Sequence, residues 1–482
     1  MKYKAWNILK GKIKYYICSL MIISLIVTCA ACYPTRENKA KDKDSDTALK
    51  KGDQAKAQED KPLLVFATSD MPILTDYKMT YPEANLEVVV IDGVGEEVWE
   101  KLIQKHGFPD LILDTNQRSV RFWAQQERIY DFSQEFDQDS SFDESLYYPN
   151  VTMVGRTGDG LYGIPLGLQV KYLTFLDETW EISRFGNMQE QYSVEEFLDT
   201  LEGELDLWSQ NEKENYRLVL GNMGLFQYTE ELLWSCGAIR IEGDSVELDR
   251  DLYMQICRIR EKEYMNVNQY LSLVSGQLPN IVQPESGAGK YLALTWNDCI
   301  APQAGLIFGQ SVHQAIFRQD IHVVWIPMKN ESESQEFAAE VAVWGMIGAK
   351  SERVEEAYTV LRQLMDINQN VYAMPNGFGF ENHIPFSINR QCAIQMIQDV
   401  EQSTTLTIRL DPAGSQTIPK VPLNEELKEE LLWLLENITH VYATDPEVSE
   451  AIHDALGWDV DGLYNHDQFY EEIVETMQTY AE

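Results

Sequence analysis

Leu63-Leu64-Val65-Phe66-Ala67, then Leu86–Ile91 (LEVVVI), then Glu96–Lys105 (EEVWEKLIQK), then Leu111-Ile112-Leu113 set the fold class. The first run is continuously apolar and of strand length, as expected for a strand buried on both faces. The second is β-branched and follows the break at Tyr81-Pro82. Glu96–Lys105 carries Val98, Leu102 and Ile103 at helical spacing on one face. Pro109-Asp110 then leads into the third apolar run. Short buried strands alternating with helices predict a mostly parallel α/β sheet. Asp70 and Asp114 fall just past the carboxyl ends of two such strands. Open α/β sheets bind ligands at that edge, so both are candidate ligand-binding residues; each also suits a turn or a helix cap.

The same alternation continues. Gly158–Pro165 (GDGLYGIP) is turn-rich and runs into Leu166–Leu176, rich in strand formers. Ser193-Val194-Glu195-Glu196 is a capping box opening a helix with Phe197, Leu198 and Leu201 inward. Tyr291–Trp296 and Ile321–Ile326 read as strands, the second closed by Pro327. Ala339–Ile347 is a strand leading through Gly348 to a helix from Ser351, with Val354, Ala357, Tyr358, Leu361 and Leu364 on one stripe. Leu406–Leu410 is a further strand, and Leu427, Leu431, Leu434 and Ile438 form one helical stripe. Asp445-Pro446 caps a helix and Asp467–Tyr480 forms the last. No internal repeat is present.

The amino-terminal end follows different physics. Residues 1–31 hold five lysines and no acid, and Tyr15–Val27 is an apolar run of signal-peptide length, short for a membrane span. It ends in Thr28-Cys29-Ala30-Ala31-Cys32, small residues before a cysteine, which resembles a bacterial lipobox with Cys32 as the lipidated residue. An alternative frame ends at Cys29, and an uncleaved anchor helix is a further alternative. Cys29-Ala30-Ala31-Cys32 lies in this targeting segment, so no redox or zinc role follows from its spacing. Residues 32–61 are polar, with opposite charges nearly balanced, and read as a flexible tether. The whole chain has 482 residues and a net charge of −38, which disfavours nucleic acid as a partner. Cys236, Cys257, Cys299 and Cys392 are too widely spaced for a disulfide framework and read as core thiols.

Catalytic and cofactor signatures are missing. Ser286-Gly287-Ala288-Gly289-Lys290 has Pro284 at the first glycine position of a phosphate loop and Tyr291 in place of Ser/Thr. Asp137–Glu144 lacks the central glycine of a calcium loop. Asp459–Gly462 reads as a turn. With so many acids, a glycoside-hydrolase carboxylate pair can always be drawn and so decides nothing. No catalytic residue, metal site or cofactor is expected.

Several short motifs resemble extracellular solute-binding proteins of ABC importers, of the large, mainly carbohydrate-binding class. Gly107–Ile112 is similar to that family's "PD-apolar" strand. Ala124–Phe132 (AQQERIYDF) is similar to its aspartate-leucine turn, with Phe132 for leucine. Leu161–Pro165 matches its "YGIP" segment, Lys290–Asn297 its tryptophan-bearing strand, and Trp344–Ile347 its strand re-entering the first lobe; Leu173–Phe175 departs from the family pattern. The resemblance covers roughly residues 62–460. It implies an α/β, two-lobed periplasmic-binding-protein-like fold with three hinge crossings and a helical C-terminus. The crossings are expected near 167–172, 338–343 and 403–408. Lobe 1 is then 62–166 with 343–402, and lobe 2 is 167–342 with 403–482. Tyr162, Trp296 and Trp344 lie at expected lobe edges and are candidates for stacking on a sugar face, each also able to serve as a core aromatic. Asp70, Asp114, Gln169, Asn297 and Asp298 are the polar candidates. Asn376–Phe380 is a glycine-rich loop that could reach the cleft, and a plain turn is its simpler reading. The implied protein is a lipid-anchored monomer on the extracellular face of the cell membrane that binds a carbohydrate and passes it to ABC permease subunits. A surface glycoside hydrolase and a ligand sensor for a membrane kinase are the alternatives.

Overall fold

The computed structural model describes residues 61–68, 71–91, 96–115, 120–176, 183–188, 191–210, 217–219, 225–242, 245–273, 291–293, 321–329, 335–367, 385–399, 406–411, 414–418, 423–446 and 466–481, and a few single positions between them. The elements used below are β1 (Leu63–Ala67), α1 (Pro72–Thr80), β2 (Leu86–Val90), α2 (Glu96–His106), β3 (Leu111–Asp114), α3 (Val120–Gln125), β4 (Ile164–Gln169) and β5 (Tyr172–Leu176). After them come α4 (Val194–Gln210), α5 (Leu225–Ser235), α6 (Arg250–Leu273), β6 (Ile321–Trp325) and β7 (Phe337–Ile347). The chain closes with α7 (Val354–Met365), α8 (Arg390–Gln398), α9 (Glu425–Glu436), β8 (Ile438–Tyr442) and α10 (His466–Ala481), so its C-terminus is helical.

One sheet runs β8-β7-β3-β1-β2, with β4 also pairing with β7. β1 is parallel to β2 and to β3, as the apolar runs predict. β7 is antiparallel to β3 and β4 and parallel to β8, so the whole sheet is mixed. All five residues of β1 are buried, which is why its sequence does not alternate. The "PD" aspartate has a bracing role: Asp110 Oδ2 accepts from Leu64 N (2.9 Å) and its Oδ1 accepts from Ser351 Oγ (2.7 Å). Asp131 braces the "YGIP" segment, its Oδ1 accepting from Leu161 N and Ser133 N at 3.0 Å each.

Two hydrophobic cores form. The first holds β1, β3 and β4 with α7 and α9; the second holds Leu173 and Phe175, the inner faces of α4 and α6, and Ile473 and Met477 of α10. α4 opens on the expected reciprocal cap, with Glu196 N donating to Ser193 Oγ (3.2 Å) and Ser193 N donating to Glu196 Oε2 (3.0 Å).

The cores meet along β5, β6, β7 and β8, where neighbouring residues pack in different ones. Tyr172 belongs to the first core and Leu173 to the second; Ala338 to the second and Ala339 to the first; Val441 to the first and Tyr442 to the second. The strands involved lie side by side, with Val341 registered on Leu168 and Glu340 on Tyr442. Residues 172–173 and 338–339 lie beside the crossings expected near 167–172 and 338–343. Past the crossing expected near 403–408, Leu423, Leu427, Leu431, Leu434 and Ile438 pack in the first core. Residues 406–411 and 414–418 form an antiparallel hairpin. Ile438, expected to continue the α9 stripe, starts β8 after the helix ends at Asn437.

Candidate functional site

Where the three strands cross, polar groups are buried together. Lys171 lies between β4 and β5, and its Nζ contacts Glu231 Oε2 of α5 (2.7 Å) and Glu340 Oε2 of β7 (2.9 Å). Gln169 Nε2 donates to the same Glu340 oxygen (2.7 Å), and Thr444 Oγ1 donates to Glu340 Oε1 (2.9 Å). Ser235 Oγ and Tyr442 Oη are 3.2 Å apart. Burial opposes charge on Lys171, but Glu231 and then Glu340 outweigh it and hold the ammonium above its ordinary range. Burial raises the Glu231 carboxyl, and the Glu340 charge raises it further, against the pull of Lys171. One cation therefore serves two carboxylates, and groups from β4–β5, α5, β7 and the segment after β8 are tied at one point. Buried ions persist only when paired in this way.

A crevice opens beside this cluster. One wall comes from the first core: Arg121 on α3, Arg156 and Thr157 in the two-stranded turn before β4, and Trp344 of β7. The other comes from the second core: Trp234 at the end of α5 and Arg240 in the hairpin Ile239–Glu242/Ser245–Leu248. His440, Tyr442, Thr444 and Asp445, at the third crossing, also line it. The rings of Trp234 and Tyr442 are stacked, 6.0 Å apart and 3° from parallel. Arg240 is positioned by donating from Nε to Gly237 O (3.2 Å) and from Nη2 to Lys329 O (3.1 Å). Asp445 is buried, with Oδ1 accepting from Val448 N (3.4 Å). The crevice is narrow, at about 70 Å³.

Solved structures share the overall fold at low sequence identity. The chain is similar to an extracellular solute-binding protein family 1 member from Alicyclobacillus acidocaldarius subsp. acidocaldarius DSM 446 (13% identity, TM-score 0.51, 87% of this chain and 99% of that one). It is also similar to the sugar-binding protein MalE from the phytopathogen Xanthomonas citri (12% identity, TM-score 0.53, 87% and 97%). The fold is that of the two-lobed solute-binding proteins. No protein-family model and no curated protein matches the sequence.

Within this solute-binding fold the sequence candidates separate. Trp344 is 1% exposed, sits in the first core and gives the crevice part of its floor. Asp114 is equally buried and registers opposite Trp344, below the crevice. Gln169 belongs to the polar cluster at the crossing. Tyr162 is half-buried against the first core, its ring beside Gly160, and is not among the residues lining the crevice. Cys32, Asp70, Trp296, Asn297, Asp298 and the Asn376–Phe380 loop lie outside the described residues. Cys236 and Cys257 are buried free thiols and Cys392 is a half-buried one, whereas Cys299 lies outside. The sequence reading did not single out Arg121, Arg156, Trp234, Arg240, His440 or Tyr442. Tyr442 and Asp445 were within reach of it, because they follow the third crossing directly and that crossing was expected earlier in the chain.

Proposed function

We propose that this chain is an extracellular solute-binding lipoprotein that captures an oligosaccharide between its lobes and hands it to an ABC permease. The observation that carries the reading is the convergence of three side-by-side crossings on one crevice whose walls belong to different cores. Such a layout lets a small rotation at the crossings open or close the crevice, the hinge motion of binding proteins. A void of roughly 150 Å³ is what admits a benzene ring. At about 70 Å³ this crevice takes a sugar only if its walls part. The sugar-binding name of the Xanthomonas citri neighbour supports a saccharide as the ligand. In this reading lobe 1 comprises 62–172 with 339–441, and lobe 2 comprises 173–338 with 442–482. Cys32 carries the lipid, residues 33–61 form the tether, and the protein works as a monomer outside the membrane. Among the described residues no helix is long and apolar enough to cross a membrane. The test is a thermal-shift screen of the full chain over a saccharide library, paired with a chromogenic glycoside panel. Stabilisation by at least one saccharide, without release of chromophore, is expected. Release of chromophore would instead make the protein a glycosidase.

A further inference from the structure

The saccharide reading leaves open what kind of sugar the crevice selects, and its inventory of polar groups narrows the choice. Three guanidinium groups line it, Arg121 and Arg156 on one wall and Arg240 on the other, together with His440. The lining includes one carboxylate, Asp445, and that side chain already accepts from Val448 N. Further donors are the hydroxyl of Thr157 and the indole of Trp234, which is 2% exposed and whose Nε1 has no acceptor among the described residues, whereas the hydroxyls of Thr444 and Tyr442 are engaged with Glu340 and Ser235. Among the described residues this inventory is donor-rich, in a chain whose net charge is −38. A neutral sugar hydroxyl both donates and accepts and is best met by mixed partners. A carboxylate or sulfate only accepts, and the planar fork of arginine matches it.

We propose that the crevice is built for an anionic saccharide, one bearing carboxylate or sulfate-ester groups. This rests on the solute-binding reading above and specifies its ligand. The charges also couple binding to closure. Arginines on facing walls repel as the lobes approach, and an anion between them replaces that repulsion with attraction. The ligand therefore favours the closed state through its differential interaction with the two states. Positive walls inside an acidic protein also focus the field into the crevice, so a polyanion is drawn there and repelled elsewhere.

The test is calorimetry on the full-length chain in detergent with four probes: trigalacturonate, its methyl ester, maltotriose and a sulfate ester of maltotriose. One or both anionic probes should bind at least about tenfold tighter than the uncharged twin, the range for hydrogen bonds to charged groups. Which of the two anions binds distinguishes carboxylate from sulfate. The advantage should shrink with added salt. Arg156→Gln should cut the preference for anion over neutral twin about tenfold, because it removes one of the three guanidinium groups. Arg156 otherwise donates to Asp159 O at 3.4 Å, and its charge also favours ionised Asp131. If that variant fails to fold, the acid-against-ester comparison and the salt series on the unaltered chain still decide. Binding of a neutral probe as tight as its charged twin would overturn the proposal while leaving the saccharide-binding reading standing. Failure of all four probes, and of the saccharide library with them, would overturn both.

Discussion

Asp139 shows how single side chains hold the first core together. It lies just after the short helix Ser133–Gln138 and accepts from Ser141 N (2.9 Å), from the Ser141 hydroxyl, from Arg362 Nε (2.9 Å) and from Tyr358 Oη (3.2 Å). Arg362 and Tyr358 belong to α7, so the carboxylate pins that helix. Burial works against its ionisation, but the Ser141, Arg362 and Tyr358 hydrogen bonds overcome this and hold the carboxyl down at about 2. Its pKa in the folded chain is thus below the unfolded value of 3.8. The resulting stability is fully present above the unfolded value and is lost as pH falls through the folded one. The side chain is 13% exposed, so screening is modest, and the contribution is on the order of 2 kcal/mol. Urea unfolding of the native chain and of Asp139→Asn should differ by about that amount at pH 7 and converge near pH 2. An equal gap at both pH values would mean the ionised carboxylate is not the stabilising group.

At the scale of elements, β7 organises the fold: it pairs with β3, β4 and β8, and it carries Glu340 at the crossing. Its close packing depends on Gly345. A Cβ there would meet Leu361 Cδ1 of α7 at 2.3 Å and Leu166 Cδ1 of β4 at 2.8 Å, and both leucines are fully buried. Gly345→Ala should therefore destabilise by about 1–3 kcal/mol, the range for overpacking a filled core. An unchanged unfolding midpoint would show that this packing is looser than described. The local elements were legible in the sequence because their signals are local. Leu63–Ala67 is apolar throughout, and Ser193 with Glu196 spells a cap. β8 was not legible, because Ile438 continues the spacing of Leu427, Leu431 and Leu434 and periodicity alone extends the helix through it. The crevice was legible only in part. Arg121, Arg156, Arg240 and Tyr442 come from four distant stretches, and only folding brings them together. Trp344, which lines the crevice, was a candidate because the strand expected to re-enter the first lobe carries it.

For the whole molecule, the crossings join two cores through three adjacent strands and one buried cluster around Lys171. Removing a partner from that cluster would strand a buried charge, so in the proposed hinge the cluster would stay in place while the lobes turn about it. The tether and lipid expected at the amino-terminus would keep this body at the cell surface, where the proposed capture of solutes requires it. The proposed hinge requires that ligand closes the crevice. Small-angle scattering of the full chain, without ligand and with a saccharide shown by calorimetry to be saturating, tests it most directly. The radius of gyration should fall when the saccharide binds. Identical scattering curves in the presence of confirmed tight binding would contradict the hinge.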